Sequence, residues 1–447
     1  MRFAFFALLF FEFQNMGNRS YQWIFFFLVS LFMLNGTHVQ SQENPINNRV
    51  VSFKKKEWNK GLLINLGQER EELRTDETRY YEEQNLLNGS FLFESNIWNL
   101  LDYKQEELNV AFKVGPFGSW GNWTDSSKVS NMTANERSYG IRTSLNAGYL
   151  YRYYYDPKTY TVFDLNVWGR YDVFKQNLDG TAIDSFGISS PIDESNIKDR
   201  LRFGFKGKVG WGTGRLSPMN HLMTAHYLLE KYYPRRVFSD YEIAQFAQVI
   251  ANIKHDRDFK SGHNVDKEME VVSAFVNKTL LLESPESMTG EWLYGEFDPR
   301  YEGTRFEFGP FFQYFNREPD FVYGGFVQFD RAKYRNVKWN SIISANLNYN
   351  RYKKQDWMMG ELNLGWSYYS KLKSQFDFGV KYVPGIELNG FNDVGPLSHN
   401  VIPYIAWYSQ LNSQSRIRLD FSWRIADGEQ FLLPGPNFTL AVYRSRY

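Results

Sequence analysis

Residues 139–153 read YGIRTSLNAGYLYRY, and two kinds of side chain alternate along them. Apolar and aromatic residues dominate the odd positions from Tyr139 to Tyr153, while polar or small residues dominate the even ones. A β-strand points successive side chains to opposite faces, so the stretch predicts one apolar face and one polar face. It is longer than the usual strand of about five or six residues. It is long enough for the roughly 9–11 residues with which a tilted strand crosses a bilayer. We therefore expect a membrane-spanning strand.

The same alternation recurs along most of the chain. It predicts an all-β fold, a transmembrane antiparallel β-barrel of fourteen strands with a small α-helical insert, or of twelve strands if the first two are not strands. The expected strands lie near 61–67, 86–96, 107–114, 139–153, 159–173, 199–212, 303–315, 320–330, 338–350, 357–369, 374–383, 400–409, 416–425 and 436–446.

The composition fits a barrel better than a bundle of membrane helices. Aromatic residues make up 18% of the chain, yet the mean hydropathy is −0.50. Aromatic girdles outside and a polar lumen inside would give both values. A net charge of +1 argues against nucleic acid as a partner. The chain has no cysteine, so disulfides and thiolate metal sites are excluded, and we expect neither a metal nor a cofactor.

Residues 1–42 are predicted to be a signal peptide region. The apolar run at 23–34 is too short for a spanning helix of about 20 residues, and Val39-Gln40-Ser41 resembles a cleavage site. A second apolar stretch lies upstream of Met16, which suggests that Met16 is the true start. The alternative is a signal anchor made of both stretches.

The period changes from two to 3.6 between residues 215 and 290, which divides the barrel into strand regions 43–214 and 291–447. Ser217-Pro218 suggests the start of one helix, Ser239 to Glu242 a capping box at the start of a second, and 265–282 a third. The glycine-rich approach predicts a hinge into the insert at Gly210, Gly212, Gly214 and Arg215.

Loop lengths suggest an orientation. The short turns at 156–158, 371–373 and 412–414 fall on one side of the barrel, and the long connections at 115–138, 174–198 and 384–399 fall on the other. Outer-membrane barrels have short periplasmic turns and longer outer loops. We therefore expect both termini and the insert to be periplasmic. The insert could then be a plug, a docking module or a cap.

The last residues carry a resemblance to a known class of protein. The chain ends at Tyr447, with Tyr443, Ala441 and Thr439 at the alternate positions before it, and this resembles the closing strand of Gram-negative outer-membrane barrels. The combination of signal, barrel and helical insert resembles a set of functionally uncharacterised outer-membrane proteins. The resemblance implies a fold and a location in the outer membrane, and it implies no substrate.

The polar faces of the strands would line a lumen. Eleven cations against six anions on these faces would favour an anionic solute in an open pore. The alternative is a closed lumen whose charges neutralise one another. The charged residues that we expect to matter most are Arg142, Arg152, Arg170, Arg202, Lys206, Arg416, Arg418, Asp420 and Arg424.

The sequence thus predicts a gated or porin-like channel for small or anionic solutes. One alternative is a non-conducting barrel that docks a periplasmic protein through 215–290 or a surface partner; another is a lipid- or glycan-modifying enzyme. We expect no enzyme, because the best candidate, Ser398 beside His399 and Asn400, consists of sequence neighbours that point apart on a strand. Outer-membrane lipid is an expected partner, and a homo-oligomer is left open.

Overall fold

The structure is a computed structural model that describes residues 52–446, except 75–77, 128–130, 185, 262–263, 284–287, 293, 295–297, 317–319, 354, 389–394, 396, 413 and 428–434. The expected signal region and the terminal Tyr447 lie outside the described residues.

Fifteen β-strands account for most of the described chain. They are β1 (Phe53–Arg74), β2 (Thr78–Leu100), β3 (Lys104–Ser127), β4 (Asn131–Tyr154), β5 (Thr159–Ile183), β6 (Ser189–Pro218), β7 (Tyr301–Phe315), β8 (Phe321–Asn336), β9 (Trp339–Tyr352), β10 (Gln355–Lys371), β11 (Ser374–Tyr382), β12 (Gly385–Leu388), β13 (His399–Gln410), β14 (Ser415–Asp427) and β15 (Gly435–Arg446).

Each strand pairs antiparallel with its neighbours, and the sheet closes on itself. β1 pairs with β15, from Trp58 opposite Arg446 to Gly67 opposite Asn437. β11 and β12 pair in succession with the same strand, β10, so they are two segments of one barrel strand. The result is a closed barrel of fourteen strands, in which the start of β1 and the end of β15 lie at the same end of the barrel. The fourteen-strand prediction is confirmed.

The outward face of the barrel is a belt of exposed apolar side chains. Almost every strand contributes to it, for example through Leu62, Phe91, Phe112, Ile141, Phe163, Phe203, Phe308, Val327, Leu347, Leu364, Phe378, Ile405, Phe421 and Val442. Such a continuous apolar surface is unfavourable in water and matches the hydrocarbon core of a membrane. The alternation in the sequence therefore sorts lipid-facing residues from lumen-facing ones.

The strands of the first half are much longer than those of the second. β1 to β6 contain 22 to 30 residues, whereas β7 to β15 contain 4 to 17. The predicted long connections at 115–138 and 174–198 are therefore mostly strand: β3 continues to Ser127, and β5 continues to Ile183. We call this end of the barrel the hairpin end.

Four helices lie between β6 and β7, at the opposite end, which we call the helical end. They are α1 (Asn220–Tyr232), α2 (Asp240–Asp256), α3 (Val265–Lys278) and α4 (Met288–Trp292), and a π-helical turn (Arg257–Ser261) follows α2. The capping box is present: Glu242 N–H donates to Ser239 Oγ at 3.3 Å, and Ser239 N–H donates to Glu242 Oε2 at 2.8 Å. The predicted start at Ser217-Pro218 is wrong, because both residues extend β6 and pair with β7, and Met219 caps α1.

The helices bury a common apolar core and pack against the barrel. Leu228, Phe246, Ile250 and Val276 are inaccessible to solvent. At the contact with β1, Lys56 N–H donates to Asp258 Oδ2 at 3.4 Å. Among the described residues, no helix is long and apolar enough to cross a bilayer.

Candidate functional site: the barrel lumen

One side of the lumen is filled by an apolar cluster. It consists of Tyr154, Tyr160, Val162, Phe311, Val322, Phe326 and Tyr352, contributed by β4, β5, β7, β8 and β9. Glycines on β6 make room for it. A Cβ atom at Gly212 would clash with the ring of Tyr160, and one at Gly210 would come within 3.2 Å of the ring of Phe326. This part of the lumen is therefore packed like a core.

A buried ion network lies beside this cluster. Arg152 Nε donates to Glu307 Oε1 at 2.6 Å, and both side chains are 4% exposed. Tyr160 O–H donates to the same oxygen at 3.0 Å. Arg305 lies 3.2 Å from Glu307 and 2.7 Å from Asp330. The charges of Arg152 and Arg305 are thus neutralised inside the barrel.

The other predicted arginines divide into groups. Arg142 and Arg170 both contact Asp172, at 2.9 Å and 2.6 Å. Arg418 contacts Asp420 at 2.8 Å. At the helical end, Glu57 accepts from both Arg416 and Lys55, and all three side chains are buried.

The positions of the remaining three predicted lumen cations are as follows. Arg202 lies opposite Arg170 in the register of β5 and β6. Lys206 lies over the ring of Phe311, with Nζ 4.9 Å from its centroid. Arg424 lines a lumen cavity, and no carboxylate in the described part of the chain lies within ion-pair distance of it.

Some of these ion pairs involve acidic residues that are not among the six anions expected on the lumen faces of the strands. Glu57 lies on a part of β1 that precedes the predicted strand, and Asp330 closes the predicted eighth strand. Residues 54–60 are polar on both faces apart from Trp58, so alternation gave no signal for Glu57. The expected cation surplus is therefore largely neutralised.

The predicted hinge residues lie within a paired strand. Gly212 pairs with Glu307 and Gly214 with Arg305, and β6 continues to Pro218 before the helices begin. Gly214 has a positive φ of 90°, which favours glycine. Arg215 stacks over Tyr154, 4.0 Å from its ring centroid, and donates to the backbone oxygen of Asp102. The transition into the helices thus falls at Met219, and Arg215 ties β6 to the turn between β2 and β3.

A short segment before β7 enters the lumen. We call residues 298–300 the lumen strap. Asn220 of α1 holds both of its ends: its Nδ2 donates to Asp298 O at 3.2 Å, and its Oδ1 accepts from Arg300 N–H at 2.8 Å. The guanidinium of Arg300 stacks on Tyr369, 3.2 Å from the ring centroid, and donates to Val337 O at 3.2 Å.

Asp298, the first residue of the strap, faces the lumen. Its side chain is exposed to solvent in the lumen, but protein atoms lie around it on most sides and exclude bulk water. This enclosure raises the pKa of the Asp298 carboxyl to about 6, against the opposing effect of the positive charges of Arg418 and Lys55. The nearby anions Asp377 and Glu57 also raise it. The strap therefore carries a titratable charge inside the barrel.

Cavities of several sizes lie in the described lumen beside these groups, and three of them matter here. One of about 490 Å³ and one of about 270 Å³ share two lining residues, Asp298 and Arg418. A third, of about 360 Å³, lies against the ion network and is lined by Arg152, Arg305 and Glu307. The strap thus borders two of these three cavities.

The candidate hydrolytic group is not assembled. Ser398 Oγ donates to Gly385 O at 3.0 Å, and His399 Nδ1 is 2.7 Å from the hydroxyl of Tyr382. Asn400 Nδ2 donates to Val383 O at 3.3 Å. The absence of an enzymatic activity stays a prediction.

Comparisons with known proteins were made for sequence and for structure. No family model matches the sequence, and no curated protein does. Among solved structures, the chain is similar to the Pseudomonas putida toluene transporter TodX, at 9% identity over 88% of this chain and 90% of that one, with a TM-score of 0.36. It is also similar to the translocator domain of the autotransporter NalP from Neisseria meningitidis, at 8% identity over 94% and 97%, with a TM-score of 0.29. A third similarity is to an outer-membrane channel from Pseudomonas putida F1, at 8% identity over 88% and 95%, with a TM-score of 0.31.

These similarities are too distant to carry an argument about the solute or the mechanism. The chain itself has an even number of closed antiparallel strands, an apolar belt and a charged interior. These features together make the chain a membrane-spanning β-barrel of the Gram-negative outer-membrane type.

Proposed function

We propose that the protein is an outer-membrane channel for small polar or anionic solutes, gated at the helical end by the lumen strap. The observation that carries the proposal is the position of Asp298, which lies between the last helix and β7 and yet lines two lumen cavities. The proposal also places both termini and the helices in the periplasm, because the short turns lie at that end.

The strap supports gating better than the helices themselves. Of the cavity-lining residues described, only residues 298–300 come from the chain between β6 and β7. The helices instead support the strap through Asn220 and pack on β1 through Asp258. A movement of α1 relative to β1 would therefore be transmitted to the strap through two hydrogen bonds.

A second function is favoured by one specific observation. Several apolar side chains of the helical region are exposed, among them Val237 at 96%, Leu281 at 82% and Val271 at 51%. Exposed apolar residues on a surface that faces the periplasm are suited to docking a protein partner. Binding of such a partner is then either the whole function of the helical region or the event that moves the strap.

Planar-bilayer recordings test the channel directly. The full chain is compared with the double variant Asn220→Ala/Arg300→Ala, which removes the hydrogen bonds that hold the strap but leaves the barrel strands intact. We expect larger or more frequent openings in the variant, because a freed strap no longer divides the lumen. Arg235→Ala, an exposed change between α1 and α2, is the matched control.

Two outcomes would count against the proposal. If neither the full chain nor the double variant conducts, although both migrate as folded barrels on unheated gels, the channel is excluded and docking is favoured. If both conduct equally, the strap is not the gate.

A further inference from the structure

The largest of the three lumen cavities is elongated along the wall of the barrel. Alternate residues of β14 line it from Arg418 to Arg424. At about 3.3 Å per residue, the cavity follows the strand for roughly 20 Å. It therefore reaches from the strap toward the hairpin end.

The two ends of this cavity differ in charge. The part near the helical end contains Asp298, Asp377 and Asp420 together with Arg300 and Arg418. The three carboxylates outnumber the two guanidinium groups, and Arg418 is already paired with Asp420 at 2.8 Å. This end therefore offers an approaching anion little uncompensated positive charge.

The part toward the hairpin end carries two available cations. Lys381 is 3.9 Å from Glu361, and both side chains are nearly half exposed, so this pair is weak. Among the described residues, Arg424 has no carboxylate partner at all. Lys381 of β11 lies opposite Ile402 of β13. Arg424 lies on β14, the strand on the other side of β13. Ile402 is therefore between the two cations, whose strands are about 10 Å apart.

On the strap side of Ile402, the wall is kept clear by a tyrosine that lies flat, Tyr404, and Lys381 Nζ is 5.9 Å from the centroid of its ring. Tyr404 O–H donates to Asn363 Oδ1 at 3.1 Å. A Cβ atom at Gly365 or Gly379 would lie 2.5 Å or 2.6 Å from the same hydroxyl oxygen. The two glycines therefore let the ring lie against the wall, so that a solute has room beside it.

We infer that Lys381 and Arg424 form a binding site for an oxyanion, a carboxylate or phosphate group carried by a small solute, in front of the lumen strap. This inference rests on the proposed channel but concerns binding, which is measured separately. The solute's anionic group lies between the two cations, and its remaining polar groups face Tyr404 and Asn363. The carboxylate of Asp298 at the other end of the cavity repels the solute and holds it at this site until the strap moves.

Calorimetric titration of the full chain, folded in detergent, tests the site without requiring conductance. Sodium citrate and inorganic phosphate are titrated separately, so that the two arms distinguish carboxylate from phosphate recognition. Wild type is compared with Lys381→Gln/Arg424→Gln and with Lys175→Gln, which removes a cation from the exposed outer face of β5. Loss of charge-assisted hydrogen bonds should weaken binding by about tenfold or more.

The outcomes separate the site from the channel. Binding of either probe that is lost in the double variant and kept in Lys175→Gln supports the site, whether or not the barrel conducts. Absence of binding by wild type, or equal binding by the double variant, overturns it. The single variant Arg424→Gln, at a half-buried position, guards against misfolding and should show an intermediate loss.

Discussion

The two sides of the lumen are built in different ways. The side formed by β4 to β9, the packed wall, is mostly occupied by the aromatic cluster and the network around Glu307, and the cavity beside them is the smaller one, about 360 Å³. The side formed by β10 to β14, the open wall, holds a cavity of about 490 Å³ with Lys381 and Arg424 beside it. The same alternation of residues therefore produces a core on one side and a solvent-lined surface on the other.

The difference shows what decides whether a barrel interior is filled. On the packed wall, glycines such as Gly212 leave space for large rings such as that of Tyr160 to lie over the neighbouring strand and pack together. On the open wall, Gly365 and Gly379 let Tyr404 lie flat instead. A path for a solute is therefore expected along the open wall, while the packed wall supplies rigidity.

The largest expected effect comes from breaking the ion network of the packed wall. Glu307→Ala leaves the guanidinium groups of Arg152 and Arg305 without their shared partner in a buried site. Removal of one member of a buried ion pair costs about 3–5 kcal/mol. Urea unfolding in lipid vesicles, followed by tryptophan fluorescence, should show this loss in the free energy of unfolding.

The matched control for this change is on the open wall. Glu361→Ala removes the partner of Lys381, but both side chains are nearly half exposed, so we expect a loss of less than about 1 kcal/mol. Equal losses for the two variants would show that the two walls do not differ in the way proposed.

A smaller loss is expected from overpacking the packed wall. In Gly212→Ala, the new methyl group would clash with the ring of Tyr160. Overpacking of this kind typically costs about 1–3 kcal/mol. At Gly89 a Cβ atom would meet no atom within 4 Å, so Gly89→Ala should leave the unfolding midpoint nearly unchanged. If Gly89→Ala destabilises the barrel as much as Gly212→Ala, the effect is a general property of strand glycines.

The strands and their order follow from local alternation, which is why the sequence predicted them. The pattern from Tyr139 to Tyr153 is imposed by contact with lipid, and it recurs on almost every strand. The lengths of β3 and β5 were underestimated because, beyond the apolar belt, their outward residues become polar, as at Lys175. A strand with polar residues on both faces has no periodic signal.

The charge pairs of the lumen could not be predicted in the same way. Arg152 and Glu307 are separated by 155 positions in the chain and by two intervening strands. Their contact depends on the register of four strands, and alternation fixes only which face a residue points to. The strap was missed because residues 298–300 carry no period and gain their position from Asn220.

On the open wall, a change at Gly365 tests whether Tyr404 keeps the cavity clear. Gly365→Val would push the hydroxyl of Tyr404 away from the wall and into the lumen, because it lies 2.5 Å from the position of a Cβ atom. Since the far end of a side chain can move, stability should change little, whereas single-channel conductance should fall. Gly67→Val is the lumen-facing control, since it lines none of the three cavities and its nearest contact, Asn65 Oδ1, would be 3.6 Å away. Unchanged conductance in Gly365→Val would place the path elsewhere.

The smallest expected effect is a shift of ion preference with pH. Enclosure raises the pKa of Asp298 to about 6, so its carboxylate is charged at pH 7.5 and largely neutral at pH 5. The charged groups that act on it are Lys55 and Glu57 of β1, Asp377 of β11 and Arg418 of β14. Reversal potentials in a potassium chloride gradient should therefore shift toward chloride as the pH falls through 6. Asp298→Asn should show the chloride-shifted value at both pH values, because it removes the charge and keeps a similar shape. If Asp298→Asn retains the full pH dependence, another group controls the preference, and the strap does not set the charge of the path along the open wall.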